Sequence, residues 1–422
     1  MIRFGYVAIR AVELGTFRNA GTMNDGLRTL LFSTLYPSSV RPTHGIFVET
    51  RLRHLLASGK VETRVVAPVP WFPFRNKAFG EYAKHAIVPC YEERNDIRVE
   101  HPRYLLLPKI GMNSAPYTLA RAGLAAARRL IAGGYDFDLI DAHYFYPDGV
   151  AATTIGKALN KPVVITARGT DINLIPQFDK PRRMILQAAN DCAAVITVCA
   201  ALKDAIVDLG AKAEKITVLR NGVDLELFGL EDRQAARAAF GMNGRFAIAS
   251  VGHLIERKGH HLVIEALPQI SDAELYVAGA GEGDASLRAL AARLGVSDRV
   301  HFLGAVSQGR LRTLYNAVDC LVLASSREGW ANVLLEAMAC GAPVVATSVW
   351  GTPEVVATPE AGVLIDDRSA AGIARGVAQL RKNPPQRSLT RRYAEHFDWG
   401  TTTCGQIRLF EHVIGKTGLV VP

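Results

Sequence analysis

The chain has 422 residues, 49% hydrophobic and 21% charged, which at roughly 100–200 residues per domain predicts two or three globular domains and excludes global disorder or coiled coil. No uninterrupted apolar run reaches the ~18 residues of a spanning helix, and residues 1–22 scatter Arg, Glu and Gly among short apolar pieces, unlike a secretory signal. Basic residues outnumber acidic ones 29 to 19 over 1–220 but stand at 20 to 21 over 221–422, so only the first half is expected to face something anionic: a phosphorylated substrate, a membrane surface or nucleic acid, unless its charges are simply solvated.

Residues 1–27 join no periodic element, and 1–22 read as a weakly ordered extension or as lying ahead of a start at Met23. The first predicted strand is Leu30–Thr34, followed by a helix over Val48–Leu56 and a strand over Thr63–Ala67. Further strands are expected at Leu139–Ala142, Val163–Thr166, Ala194–Val198 and Ile216–Leu219. Helices fall between them at Thr118–Ile131, Gly149–Leu159, Pro181–Asn190 and Ala201–Leu209. The turn-rich stretch Arg220-Asn221-Gly222-Val223-Asp224 interrupts this pattern. It resumes with strands at Ala247–Val251, Glu274–Ala278, Arg299–Phe302, Cys320–Leu323 and Val344–Ala346. Helices intervene at Gly259–Leu267, Asp284–Leu294, Gln308–Ala317 and Asn332–Cys340, and a last one, about Thr401–Val413, follows the break at Asn383-Pro384-Pro385. Short apolar strands alternating with helices indicate parallel sheets covered on both faces. The chain thus reads as two doubly wound halves divided near 220–245, whose ligands bind beyond the carboxyl ends of the strands. The six cysteines are scattered without a C-x-x-C pair and read as reduced thiols of a cytosolic protein.

The stretch Ser325-Ser326-Arg327-Glu328-Gly329-Trp330-Ala331-Asn332-Val333-Leu334-Leu335-Glu336 leaves the strand Cys320–Leu323 and enters a helix that Gly341 ends. Glu328 lies ahead of the helix and Glu336 on it, with the helix-start N–H groups around Asn332 between them. Such a start can hold an anion, while one carboxylate accepts from a ribose diol and the other reaches sugar hydroxyls. The plainer reading is an amphipathic helix with two solvated glutamates. In the turn Gly252–Gly259, Arg257 and Lys258 can pair with a diphosphate as fork and point charge, or stand as an exposed basic turn. Gly279-Ala280-Gly281-Glu282-Gly283-Asp284 has the look of a dinucleotide fingerprint, but its third glycine would fall at Asp284, so hydride chemistry has little support.

Glu328 and Glu336 match the E-x7-E motif of retaining glycosyltransferases of family 4. The surrounding words are similar to that family too: Glu328-Gly329-Trp330, Leu335-Glu336-Ala337-Met338-Ala339-Cys340-Gly341, Arg220-Asn221-Gly222-Val223-Asp224, Gly252-His253-Leu254 through Arg257-Lys258-Gly259, and Asp141-Ala142-His143. The resemblance covers about Leu30 to Val413. It implies an α/β fold of GT-B type, with two Rossmann-like doubly wound domains facing a central cleft and a C-terminal helix crossing back to the first domain. In this numbering, 1–27 is an extension, 28–225 the acceptor-binding domain, 226–395 the nucleotide-sugar-binding domain and 396–422 the returning helix.

The same resemblance implies roles. Glu336 would hold the ribose, Arg257 and Lys258 the diphosphate, and Glu328 the donor sugar, with Gly329, Asn332 and Val333 also binding donor. His143 matches the family's active-site histidine, although a capping or core histidine is the plainer reading. Gly45, in Pro42-Thr43-His44-Gly45, matches a loop that lets backbone approach the phosphates, with one glycine where many members have two. Arg168 stands where many members carry a histidine and points to an anionic acceptor or a donor phosphate. Asp171 can accept from an acceptor hydroxyl, or the two can form a buried pair.

Asp136-Phe137-Asp138 is a D-x-D string, the metal signature of another glycosyltransferase fold, but it leads into a strand at its amino end and reads as a solvated turn. No essential metal or other cofactor is therefore expected. The function expected from the resemblance is retaining transfer of a sugar from a nucleotide diphosphate donor to a hydroxyl of a glycan or lipid-linked acceptor, in cell-surface or exopolysaccharide synthesis. A nucleotide-sugar epimerase and a silent sugar-nucleotide binder are the alternatives. No nucleic-acid partner is expected. The interleaved aromatic and basic residues of Trp71–Phe79, Tyr82, Lys84 and Arg103–Lys109 point to peripheral attachment on the cytoplasmic face of the inner membrane, or to rings packed on their own domain.

Overall fold

The structure is a computed structural model and describes residues 26–107 and 111–415; the expectations for 1–22 and for Pro108 and Lys109 lie outside them. The first domain contributes β1 (Leu27–Phe32), β2 (Val61–Val66), the two-residue β3 (Val69–Pro70), β4 (Tyr91–Arg94), β5 (Ile97–Glu100) and the two-residue β6 (Arg103–Tyr104). β7 (Leu139–His143), β8 (Val163–Ala167), β9 (Ala194–Thr197) and β10 (Ile216–Val218) follow. The main sheet runs β10-β9-β8-β7-β1-β2-β5-β4, with β3 and β6 forming a separate small ribbon. All pairings are parallel except β4 with β5. Every residue of β7 and β8 is buried, as helices on both faces require.

The second domain carries β11 (Phe246–Val251), β12 (Ala273–Ala278), β13 (Val300–Gly304), β14 (Cys320–Leu323), β15 (Val344–Thr347) and β16 (Gly362–Ile365). They form a wholly parallel sheet in the order β13-β12-β11-β14-β15-β16. The first element falls earlier than expected, because Leu27 already pairs with Val61. Two features were not anticipated. The β4–β5 hairpin has Tyr91-Glu92-Glu93-Arg94 on its outer strand, a polar edge without apolar alternation, and β16 is a four-residue edge strand.

The last helix, Trp399–Val413, starts where Asp398 accepts from the Gly400 and Thr401 N–H groups. It lays Ile407 and Phe410 into the same apolar cluster as Val48, Leu52 and Leu55 of the helix Ile46–Ala57. A second cluster runs unbroken from Phe32, Ile140 and Ile165 in the first domain through Val198 and Val223 to Ala331 and Leu334 in the second. The two sheets therefore meet across packed side chains, with their carboxyl edges turned toward the same region.

Candidate active site

Two loops at the carboxyl edge of the second sheet lie against each other. Gly252–Gly259 leaves β11, and Ala324–Ala331 leaves β14 and enters the helix Asn332–Ala339. Ser326 N–H donates to the Arg257 carbonyl at 2.9 Å, and Arg257 Nη1 donates to the Arg327 carbonyl at 2.9 Å. Gly259 has φ 72°, and a Cβ there would sit 2.1 Å from the Ala324 oxygen, so only glycine permits this approach. Gly279 and Gly281 do the same for the Gly252 and Leu254 backbone, at 1.8 and 2.6 Å from the carbonyl oxygens. That close packing accounts for the fingerprint-like glycines.

Between these loops Glu328 is buried. Its Oε1 accepts from Ser325 Oγ at 2.7 Å and from Lys258 Nζ at 2.5 Å, with Arg257 Nη1 3.8 Å away. One carboxylate thus orients two cations, and a diphosphate arriving here would compete with it for Lys258. Glu336 lies on the helix, partly exposed, and accepts from Tyr315 Oη at 3.2 Å. Burial pushes its pKa up to about 7, against the opposing Tyr315 bond. Asn332 and Val333 open the helix, which has no capping side chain. Its first-turn N–H groups keep the capacity to bind an anion.

Across the cleft the carboxyl edge of the first sheet supplies His143, the last residue of β7, and Arg168, just after β8. Both are buried. Arg168 Nη2 donates to His143 Nδ1, and His143 Nε2 lies 3.1 Å from Asp141 Oδ2. A guanidinium can only donate, so Nδ1 is the acceptor and Nε2 carries the hydrogen. His143 is therefore neutral. Burial, helped by the Arg168 charge, pushes its pKa down to about 4. The other guanidinium arm, Nη1, donates to Asn221 Oδ1 at 3.2 Å, and Asn221 Nδ2 reaches Asn332 Oδ1 at 3.4 Å. The side-chain pair weighed for Arg168 and Asp171 does not form. Asp171 instead accepts from the backbone N–H groups of Phe145, Arg168 and Gly169, at 2.7, 3.1 and 2.7 Å, which fixes the loop. A Cβ on Gly329 would lie 2.0 Å from the Arg168 carbonyl oxygen, so the two domains touch through backbone at this point.

Gly45 is left-handed, φ 68°, and a Cβ there would sit 2.3 Å from the Leu35 oxygen. Its requirement for glycine comes from that crossing, at the start of the helix Ile46–Ala57. Asp136 and Asp138 lie at the amino edge, where Asp138 accepts from Arg28 N–H at 2.8 Å and Asp136 pairs with Lys161 at 2.7 Å. Among the described residues no group of three His, Cys, Asp or Glu side chains could hold a metal ion. Sequence reasoning passed over Tyr315 and Gln406, since nothing in their spacing marks them, and met Asp141 and Asn221 only inside family-like words, without a role of their own.

Comparison with known proteins agrees with this geometry. Residues 48–227 match the model for Glycosyltransferase Family 4, and residues 232–397 that for Glycosyl transferases group 1. The chain is 27% identical to TuaC of Bacillus subtilis (strain 168), a glycosyltransferase named for teichuronic acid biosynthesis, over 84% of this chain and 89% of that protein. It is 35% identical to the D-inositol 3-phosphate glycosyltransferase of Mycobacterium tuberculosis (strain F11), over only 49% of this chain and 46% of that one. Among solved structures, sucrose-phosphate synthase from Thermosynechococcus elongatus superposes with a TM-score of 0.76 at 18% identity, covering 93% of this chain and 100% of the other. HepE of Anabaena, in complex with UDP-glucose, gives 0.69 at 21% identity, covering 91% and 99%. The chain is a glycosyltransferase of GT-B fold, each of its two domains matching a glycosyltransferase family model.

Proposed function

We propose that this enzyme transfers a sugar, with retention, from a nucleotide diphosphate donor to a hydroxyl of a glycan or lipid-linked acceptor in cell-surface or exopolysaccharide synthesis. The observation that carries this reading is the gathering of Arg257 and Lys258 on Glu328 just ahead of the helix Asn332–Ala339, which carries Glu336 about one turn in. Glu336 takes the ribose diol. Arg257, Lys258 and the N–H groups at Asn332 and Val333 take the diphosphate, and Glu328 with Gly329 the donor sugar. Gly45 brings the first domain's loop toward the phosphates, and Arg168 stands beside an anionic group of acceptor or donor. His143 and Asp171, with their polar atoms engaged internally, serve by shaping that wall. The bond from the sugar's anomeric carbon to the diphosphate breaks as the acceptor hydroxyl attacks the same face, and the departing phosphate oxygen receives the hydroxyl proton. Arg257 and Lys258 stabilise the leaving charge, so activity is expected to survive excess chelator. TuaC's name and the UDP-glucose bound to HepE support donor and pathway class.

The test is a panel of nucleotide sugars. A true donor should raise the melting temperature by an amount that grows with the logarithm of its concentration relative to its dissociation constant, and should release free nucleotide. No stabilisation by any donor would overturn the reading. Stabilisation without nucleotide release would mark a silent binder, and an inverted sugar still attached to nucleotide an epimerase.

The reading extends to peripheral attachment on an anionic membrane face. It is supported by the exposed rings of Trp71, Phe74, Phe79 and Tyr82 beside Arg75. Among the described residues no helix is long and apolar enough to cross a membrane.

A further inference from the structure

The returning helix does more than pack. From its buried inner face Gln406 reaches into the first domain, where Arg51 Nε donates to Gln406 Oε1 at 2.8 Å. Because Arg51 Nε can only donate, the amide oxygen must face it. The amide nitrogen then faces Asp141, donating to Oδ2 at 3.1 Å. The same Asp141 oxygen accepts from His143 Nε2, and His143 Nδ1 accepts from Arg168. Every donor and acceptor in this run is fixed by the two arginines at its ends, and no second tautomer or amide orientation satisfies it. From Arg168 the run continues through Asn221 to Asn332, the first residue of the donor-side helix.

We propose that Gln406 and Asp141 are positioning residues for transfer: they hold His143 as its Nε2–H tautomer, whose Nδ1 lone pair fixes the Arg168 guanidinium at the cleft wall beside Asn221 and Asn332. This rests on the transferase reading above. Without Asp141 as acceptor, only the Arg168 bond holds the hydrogen on Nε2, and the buried Nε2–H is left without its partner. The other tautomer would point an N–H at Arg168, donor against donor, and push the guanidinium out of place. The run gathers Asp141 and His143 of β7, Arg168 just after β8 and Gln406 of a helix more than 200 residues away, an arrangement wasted if His143 only filled space. Buried polar runs of this kind rigidify a site, and within this one only Arg51 Nη2, Asp141 Oδ1 and Arg168 Nε have no hydrogen-bond partner among the described residues.

The test uses the full-length enzyme and two near-isosteric changes, Gln406→Leu and Asp141→Leu, since an asparagine at 141 would keep an accepting oxygen. Each should lower kcat at least tenfold while leaving nucleotide affinity within about twofold, because neither touches the donor loops. ¹⁵N spectra of the histidine ring nitrogens, with the His143 signals assigned by difference against His143→Gln, should show the Nε2–H tautomer in the parent. Asp141→Leu should show a mixture of tautomers. Unchanged kcat in both folded variants would overturn the proposal. So would a joint fall of kcat, nucleotide affinity and melting temperature, which describes packing alone, or a His143 tautomer that ignores Asp141. If the parent enzyme transfers no sugar yet its His143 shows the Asp141-dependent tautomer, the transferase reading fails and the relay stands.

Discussion

At neutral pH the Glu336 carboxyl is close to half-protonated, because burial pushes its pKa up to about 7 even though Tyr315 donates to it. A ribose diol donates hydrogen bonds, so it selects the ionised form. Donor affinity should therefore be full above pH 7 and fall as pH drops below it, by up to about tenfold per unit, with a proton released on binding. Titration calorimetry in buffers of different ionisation enthalpy measures that proton. Glu336→Gln should bind without releasing it, and Glu336→Ala should lose at least about tenfold in affinity, since each charge-assisted bond contributes roughly 1.5–3 kcal/mol. An affinity flat across pH 6–8 would remove Glu336 from the ribose. This residue could be singled out from sequence because its loop, helix start and partner Glu328 lie in one continuous stretch. Gln406 could not be, since its partner Asp141 lies 265 residues away and only the folded sheet brings them together.

Among the elements, the two carboxyl-edge loops do the aligning, and their alignment depends on missing side chains. Gly329 touches the Arg168 carbonyl so closely that any Cβ must push the donor loop and the first domain apart. Misplacement of about 1 Å between reacting groups can cost on the order of 100-fold in rate. Gly329→Ala should therefore cut kcat by about that factor and lower the melting temperature as well, because the apolar cluster shared by the two domains must give way with it. Steady-state kinetics beside thermal unfolding measures both, and near-parental turnover would mean that the domains do not react in this contact. The sheets themselves were legible: strands such as Val163–Ala167 and Cys320–Leu323 are apolar at nearly every position because helices cover both faces. The polar β4 edge and the short β16 were not legible, since an edge strand owes its place to pairing rather than to burial.

Over the whole molecule, charge and apolar exposure are both lopsided toward the first domain. Nine of the thirteen large apolar side chains exposed among the described residues lie between Trp71 and Tyr117, which makes them one region rather than scattered singles. Hydrogen bonds join its parts: Trp71 N–H donates to the Tyr104 carbonyl at 2.7 Å, and the Thr118 hydroxyl to the Leu105 carbonyl at 2.7 Å. The rings of Phe72, Phe74, Phe79 and Tyr82 stand 5.1–5.9 Å apart in one group, so Phe72 is packed while Trp71 and Phe74 remain more than half exposed. Aromatic rings favour the headgroup region, and a basic residue near an anionic leaflet contributes about 1 kcal/mol. Vesicle flotation should therefore show binding to anionic lipid that weakens at high salt. Neutralising Arg75, Lys77 and Lys84 together should weaken it by roughly 3 kcal/mol, more than about 100-fold. Trp71→Ser with Phe74→Ser should weaken it at every salt concentration, because the apolar part is not screened. Flotation indifferent to lipid charge, salt and all five substitutions would leave the aromatic region without a membrane role.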